Sequence, residues 1–79
     1  MKYFVYILEC RDGSFYTGIA RDLEKRVALH NLGKGSKYTM GRGPVNLRYS
    51  EEIEGRSAAT QREMAIKKLS KKQKIILME

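Results

Sequence analysis

Seventy-nine residues leave room for one domain, spanning 1–79, which buries only about 60% of the surface its unfolded chain exposes. The chain is 42% apolar and 32% charged with both signs present, which excludes wholesale disorder; its single cysteine excludes an internal disulfide and a cysteine-based zinc site. Sixteen Lys and Arg against nine Asp and Glu leave a net charge of +7, a balance that suits nucleic acid better than an anionic membrane surface.

Lys2 to Cys10 is a nearly unbroken apolar and aromatic run rich in β-formers, and it predicts a central strand. The run is too short to span a bilayer, and Glu9, Arg11 and Asp12 follow it at once, so no signal peptide is expected and the default compartment is the cytoplasm. Cys10, at the end of the run, reads as a small buried hydrophobe. Asp12-Gly13 supplies a hairpin turn, and Ser14 to Ile19 reads as the returning strand. A three-residue loop, Arg11-Asp12-Gly13 with Gly13 left-handed, sets residue 10 opposite 14 and residue 6 opposite 18. Tyr6, Leu8, Tyr16 and Gly18 then share one face of the sheet.

Asp22 is placed to cap a helix running to about Leu32, where Gly33 stops it. Leu23 and Val27 form its apolar stripe, with Arg26 and His30, an i, i+4 pair, beside that stripe and directed toward the sheet or its rim. Gly33 to Pro44 carries four glycines with Lys34, Lys37, Tyr38 and Arg42, and reads as a basic loop. The loop lacks a Gly-Lys-Ser/Thr P-loop; its glycines let amides approach phosphates, its cations add charge and Tyr38 offers a stacking surface, while a solvated connector is an equal alternative. Val45 to Ile53 looks like a third strand with Val45, Leu47 and Tyr49 on one face. Gly55 breaks it and Ser57 can cap a helix continuing to Ser70, with Ala58, Ala65, Ile66 and Leu69 as its apolar side and Glu63 at the border. Lys71 to Glu79 forms a short last helix with Ile75, Ile76 and Met78 available for packing. The cluster Lys67, Lys68, Lys71, Lys72 and Lys74 is either a second phosphate-tracking patch or a merely soluble face. The order is ββαβαα, an α/β domain with an antiparallel or mixed three-stranded sheet.

Several motifs agree in order and spacing. Val5-Tyr6, then Tyr16-Thr17-Gly18, then Arg26, His30 one turn later and Glu63 on the later helix resemble the GIY-YIG nuclease pattern. The stretch His30-Asn31-Leu32-Gly33-Lys34-Gly35-Ser36-Lys37-Tyr38-Thr39 is similar to one carried by the small single-domain branch of that family, the UPF0213-like proteins. Phe4 stands where the first motif has glycine, Thr17 replaces a central isoleucine, and Ile19 holds a position that is often lysine in the excision-repair branch. The resemblance implies a small, mainly antiparallel three-stranded sheet flanked by helices and a metal-dependent phosphodiesterase acting on DNA or RNA, DNA ahead of RNA. It further implies magnesium or manganese as cofactor and Glu63 as metal ligand, with a place in DNA repair or processing, in a larger repair complex.

The residues carry their own chemistry. Phosphodiester hydrolysis needs a group to activate water, positive charge for the negative charge that grows at phosphorus, and neutralisation of the leaving oxygen. A phenol with a pKa of about 10 is a poor base until a neighbouring cation lowers the cost of ionisation, and Arg26 supplies one. Among the motif tyrosines, Tyr6 is favoured as base with Tyr16 as its hydrogen-bonding partner; His30 relays a proton or holds a tyrosine hydroxyl. Glu63 is a hard oxygen ligand of the kind magnesium takes with several waters, and equally a helix residue paired with Lys67. Arg62 draws no functional role. The rival to a nuclease is a non-catalytic nucleic-acid-binding module that keeps the fold.

Overall fold

The computed structural model describes all 79 residues: strands β1 (Lys2–Glu9) and β2 (Phe15–Ala20), helix α1 (Leu23–Asn31), strand β3 (Asn46–Glu54), and helices α2 (Arg56–Lys67) and α3 (Lys71–Met78). The sheet is three-stranded in the order β2-β1-β3, and both pairings are antiparallel, so the mixed alternative falls away.

Gly13 adopts φ 84° and closes the hairpin with its amide on the Cys10 carbonyl. Tyr6 therefore pairs with Gly18 and Leu8 with Tyr16, the register that the three-residue loop demands. One sheet face, carrying Val5 and Ile7, packs on Ala59 and Ile66 of α2 with Leu77 and Met78 of α3. The other, carrying Leu8 with Cys10 and Val45, packs on Val27 of α1. Burial on both faces explains why β1 reads as a continuous apolar run rather than an alternating one.

Three local expectations are corrected. The register of β1 with β3 shifts between Ile7 and Leu8, and the extra residue, Arg48, breaks the alternation. Leu47 therefore lies against Leu8, whereas Tyr49 joins the cluster on the α2 face instead of siding with Val45 and Leu47. Helix α2 starts at Arg56 with Gly55, at φ 90°, as its N-cap; Ser57 lies inside the helix. That start turns Ala59 and Ile66 inward and leaves Ala58 and Ala65 exposed, which sets Arg62 and Glu63 on opposite flanks of the buried stripe. In α3, Leu77 and Met78 do the packing while Ile75 and Ile76 face outward, and Ser70 and Gln73 close a capping box at its start.

Gly18 marks where the tyrosine face is tightest. A Cβ there would lie 2.5 Å from Tyr6 Oη, because the Tyr6 ring leans across the backbone of the edge strand β2. Gly18→Ala is expected to cost about 1–3 kcal/mol of overpacking strain, lowering the melting temperature by roughly 4–8 °C per kcal/mol. A variant that melts with the wild type and keeps the Tyr6–His30 contact would show that the ring has room to move.

Candidate active site

Four of the five motif residues meet on the α1 side of the sheet. The phase of α1 starts with Asp22, whose carboxylate accepts from the Lys25 amide at 3.1 Å. With Leu23 and Val27 turned toward the sheet, Arg26 and His30 come round to the tyrosines. Tyr6 Oη lies 2.8 Å from His30 Nε2, and His30 Nδ1 lies 2.8 Å from Thr39 Oγ1. Tyr6, His30 and Thr39 are all buried, so each link of this chain is shielded from water. Ser36 completes it: its hydroxyl accepts from the Thr39 amide at 3.2 Å and lies 3.2 Å from Thr39 Oγ1. The loop can come this close only because residue 35 is glycine, since a Cβ there would lie 2.3 Å from the His30 ring. Tyr16 packs its ring 5.0 Å from that of His30 and 6.3 Å from that of Tyr6.

The electrostatics assign different states to these groups. Burial, followed by the neighbouring Tyr16, pushes the Tyr6 hydroxyl up to about 12, and the charge and hydrogen bonding of Arg26 only partly offset this. Burial, and then the Arg26 charge, hold His30 below the usual imidazole range, so it is neutral near pH 7. A neutral imidazole accepts at one nitrogen and donates at the other. Thr39 Oγ1 donates onward to the Ser36 carbonyl at 3.4 Å, so the consistent arrangement has Nδ1–H donating to Thr39 Oγ1 and Tyr6 O–H donating to Nε2. Tyr16 is only half-buried, and its hydroxyl has no partner within the protein.

These shifts fix a pH signature. Folded Tyr6 keeps its proton where an unfolded tyrosine has lost it, so stability falls as pH rises from 10 toward 12, by about 2–3 kcal/mol in all. Chemical denaturation at about pH 9 and about pH 11 should show the loss, and Tyr6→Phe should shrink it. Tyr49, raised by its hydrogen bond to Glu51, carries the smaller remainder. An unchanged slope in Tyr6→Phe would contradict the assignment. His30 acts in the opposite sense: its contribution is present above pH 6.5 and is lost as pH falls through its lowered folded value.

Glu63 belongs to the layer on the other side of the sheet. Arg62, on one flank of α2, pairs with Glu51 of β3, which in turn accepts from the Tyr49 hydroxyl. Glu63 lies on the opposite flank of the buried stripe, and its negative charge is felt at Tyr6. Its side chain is 16% exposed, and Lys67 Nζ approaches one oxygen at 3.5 Å. Of the two sequence readings of Glu63, the i+4 pair with Lys67 is present in the structure. A mostly buried carboxylate with one distant ammonium is a donor that fits a hard divalent cation completed by waters. On the same sheet face, Thr17 Oγ1 is buried without a hydrogen-bond partner.

The basic loop is anchored rather than loose. Asn31 ties its two ends, accepting from the Val45 amide at 2.7 Å and donating to the Val45 carbonyl at 3.3 Å. Arg42 donates to the Tyr38 carbonyl at 2.6 Å and pairs with Asp12 at 3.1 Å, while the Arg11 amide holds the Arg42 carbonyl. Its guanidinium stands 4.4 Å from the Tyr38 ring centre, and Tyr38 in turn stacks on Tyr16 at 5.9 Å. Of the four loop residues expected to bind nucleic acid, Lys34 and Lys37 are exposed and unpaired, Tyr38 is 40% exposed beside the site, and Arg42 is engaged in holding the loop. Sequence reasoning missed Thr39, although it ends the quoted motif, and it missed the cations Arg21, Lys25 and Arg56 around the foot of α1.

The model of the GIY-YIG catalytic domain matches residues 2–75, and the chain belongs to that nuclease family. Within it the chain sits with the UPF0213 proteins. It is 53% identical over 70 residues to one from Halobacterium salinarum, covering 89% of this chain and 91% of the relative. It is also 53% identical over 75 residues to one from Clostridium perfringens, covering 95% and 81%. The solution NMR structure of a UPF0213 protein from Bacillus halodurans superposes with a TM-score of 0.62 at 44% identity, over 98% of this chain and 82% of that one. A solution NMR structure of a protein from E. faecalis gives 0.63 at 45% identity, over 94% and 79%.

Proposed function

We propose that the chain is a metal-dependent endonuclease that hydrolyses phosphodiester bonds of DNA or RNA at the Tyr6–Tyr16–Arg26–His30–Glu63 site. What supports this reading is one observation: a water-accessible phenol, Tyr16, and an arginine without an ion pair, Arg26, gather around a buried Tyr–His–Thr chain, at whose Tyr6 the charge of the part-buried Glu63 is felt. A binding module has no use for a part-buried carboxylate whose charge is felt at a buried phenol.

Burial and hydrogen bonding support giving the base role to Tyr16, where the sequence favours Tyr6. Tyr6 is fully buried, held protonated and spent on His30, whereas Tyr16 presents a free hydroxyl on the open side. Tyr16 first releases its hydroxyl proton to the solvent it faces, and the phenolate then takes the proton of the attacking water, while Tyr6 with His30 fixes the floor on which the Tyr16 ring rests. Arg26 forms no ion pair within the protein, so its charge is not neutralised by a carboxylate and can meet the non-bridging oxygens as negative charge grows at phosphorus. Glu63 would hold magnesium or manganese, which when bound supplies positive charge to neutralise the departing oxygen. No helix is long and apolar enough to cross a membrane, and a cytoplasmic role in DNA repair or processing accords with this reading.

The test is a panel of single-stranded, duplex and branched DNA and RNA, with titrated magnesium or manganese against chelator. Nicking of at least one substrate class that needs the metal is expected. Binding that falls steeply with salt, without metal-dependent nicking of any substrate, would favour the non-catalytic module.

A further inference from the structure

Net charge is unevenly distributed over this molecule. Six of the nine carboxylates are committed to ion pairs, with the N-terminus, Lys2, Arg42, Arg48, Arg62 and Lys67. None of these pairs involves Arg21, Lys25, Arg26 or Arg56, and those four cations line one cleft. The cleft opens along one flank of α1, over an apolar floor that includes Ile19 and Leu29. The single acid on its rim, Asp22, is occupied as the cap of α1. Glu24 lies on the other flank of the helix, with Leu23 and Val27.

Like charges gathered without counter-charges repel one another, and the chain accepts that cost where a polyanion relieves it. We propose that this cleft is the track for the phosphates of the strand flanking the bond to be cut. Arg26 belongs to both the cleft and the tyrosine site, so a strand lying in the cleft delivers one phosphate to Tyr16 and continues toward the loop bearing Lys37 and Tyr38. The scale agrees. The nine residues of α1 measure about 14 Å, and phosphates advance about 3.4 Å each along one strand of a duplex, so about four phosphates lie alongside four cations. The track deepens the nuclease reading and rests on it for the identity of the strand, but its test does not depend on cleavage.

With chelator present, the wild-type protein is titrated with single-stranded decathymidylate and separately with inorganic phosphate, and backbone and guanidinium NMR signals are followed. Signals of Arg21, Lys25, Arg26 and Arg56 should shift together with the oligonucleotide, at concentrations where inorganic phosphate leaves them unmoved. Equal shifts with both probes would mean a simple anion site, and shifts confined to residues 33–44 would place the strand elsewhere; either result overturns the track. As a second measurement, the combined variant Arg21→Ala, Lys25→Ala, Arg56→Ala should lower the slope of log affinity against log salt by about 2, at roughly 0.7 per single-strand phosphate. An unchanged slope overturns it. Cleft shifts without any metal-dependent nicking would remove the enzyme reading and keep the track, whereas nicking without cleft shifts would remove the track alone.

Discussion

Arg26→Ala is expected to lower metal-dependent nicking by about 10²–10³-fold, the range seen when a single pre-placed donor to a developing negative charge is removed. The size follows from what Arg26 does not do. It is half-buried beside Tyr6, it forms no ion pair, and its charge lowers both the Tyr6 and the His30 equilibria, so it lies at the chemical centre. Truncation leaves no buried partner stranded, and the melting temperature should stay within a few degrees of the wild type. Nucleic-acid affinity should survive largely intact, because Arg21, Lys25 and Arg56 remain in the cleft. Single-turnover nicking at saturating substrate separates these effects. A variant with unchanged single-turnover rate and weakened affinity would assign Arg26 to binding alone.

His30→Ala acts on stability as well as on activity. The ring is 1% exposed, with partners on both nitrogens and the Tyr16 and Tyr6 rings around it. Its removal opens a cavity and takes away the one hydrogen-bond acceptor of the buried Tyr6 hydroxyl, while Thr39 keeps only Ser36, at a cost of about 2–4 kcal/mol. In a domain of this size that lowers the melting temperature by roughly 10–25 °C, a large share of the total stability. His30→Gln can keep one of the two hydrogen bonds and should recover part of the loss. Thermal unfolding by circular dichroism reads this directly. Melting of His30→Ala within a few degrees of the wild type would mean that the chain from Tyr6 to Thr39 does not hold the site together.

Local geometry is the part of this molecule that is legible in its sequence. The hairpin register follows from Gly13, and the phase of α1 follows from Asp22, Leu23 and Val27, so the meeting of Tyr6, Tyr16, Arg26 and His30 can be read ahead of any coordinates. The facing of α2 cannot. Alanines at 58, 59 and 65 give nearly equal apolar signals on two sides of the helix, and only packing against Val5 and Ile7 selects Ala59 with Ile66. The strand β3 hides its bulge at Arg48 for a similar reason, since residue types alone do not mark an extra residue in a ladder. The Thr39–His30 bond, 9 residues apart, and the Asp12–Arg42 pair, 30 apart, depend on the path of a glycine-rich loop, which no periodicity records. Glu63 is a special case: the family motif names it, and the phase of α2, held by Arg62 on Glu51, sets it on the opposite flank of the buried stripe.

The account stands or falls on whether Glu63 supports metal-dependent hydrolysis at the tyrosine site. Wild type and Glu63→Gln, purified side by side, should be assayed for nicking across a manganese titration and in chelator. Wild-type nicking is expected to rise with manganese and vanish in chelator, while Glu63→Gln stays folded, binds the same substrate and nicks at least about 10²-fold more slowly. Equal, chelator-insensitive cleavage by both proteins would contradict it.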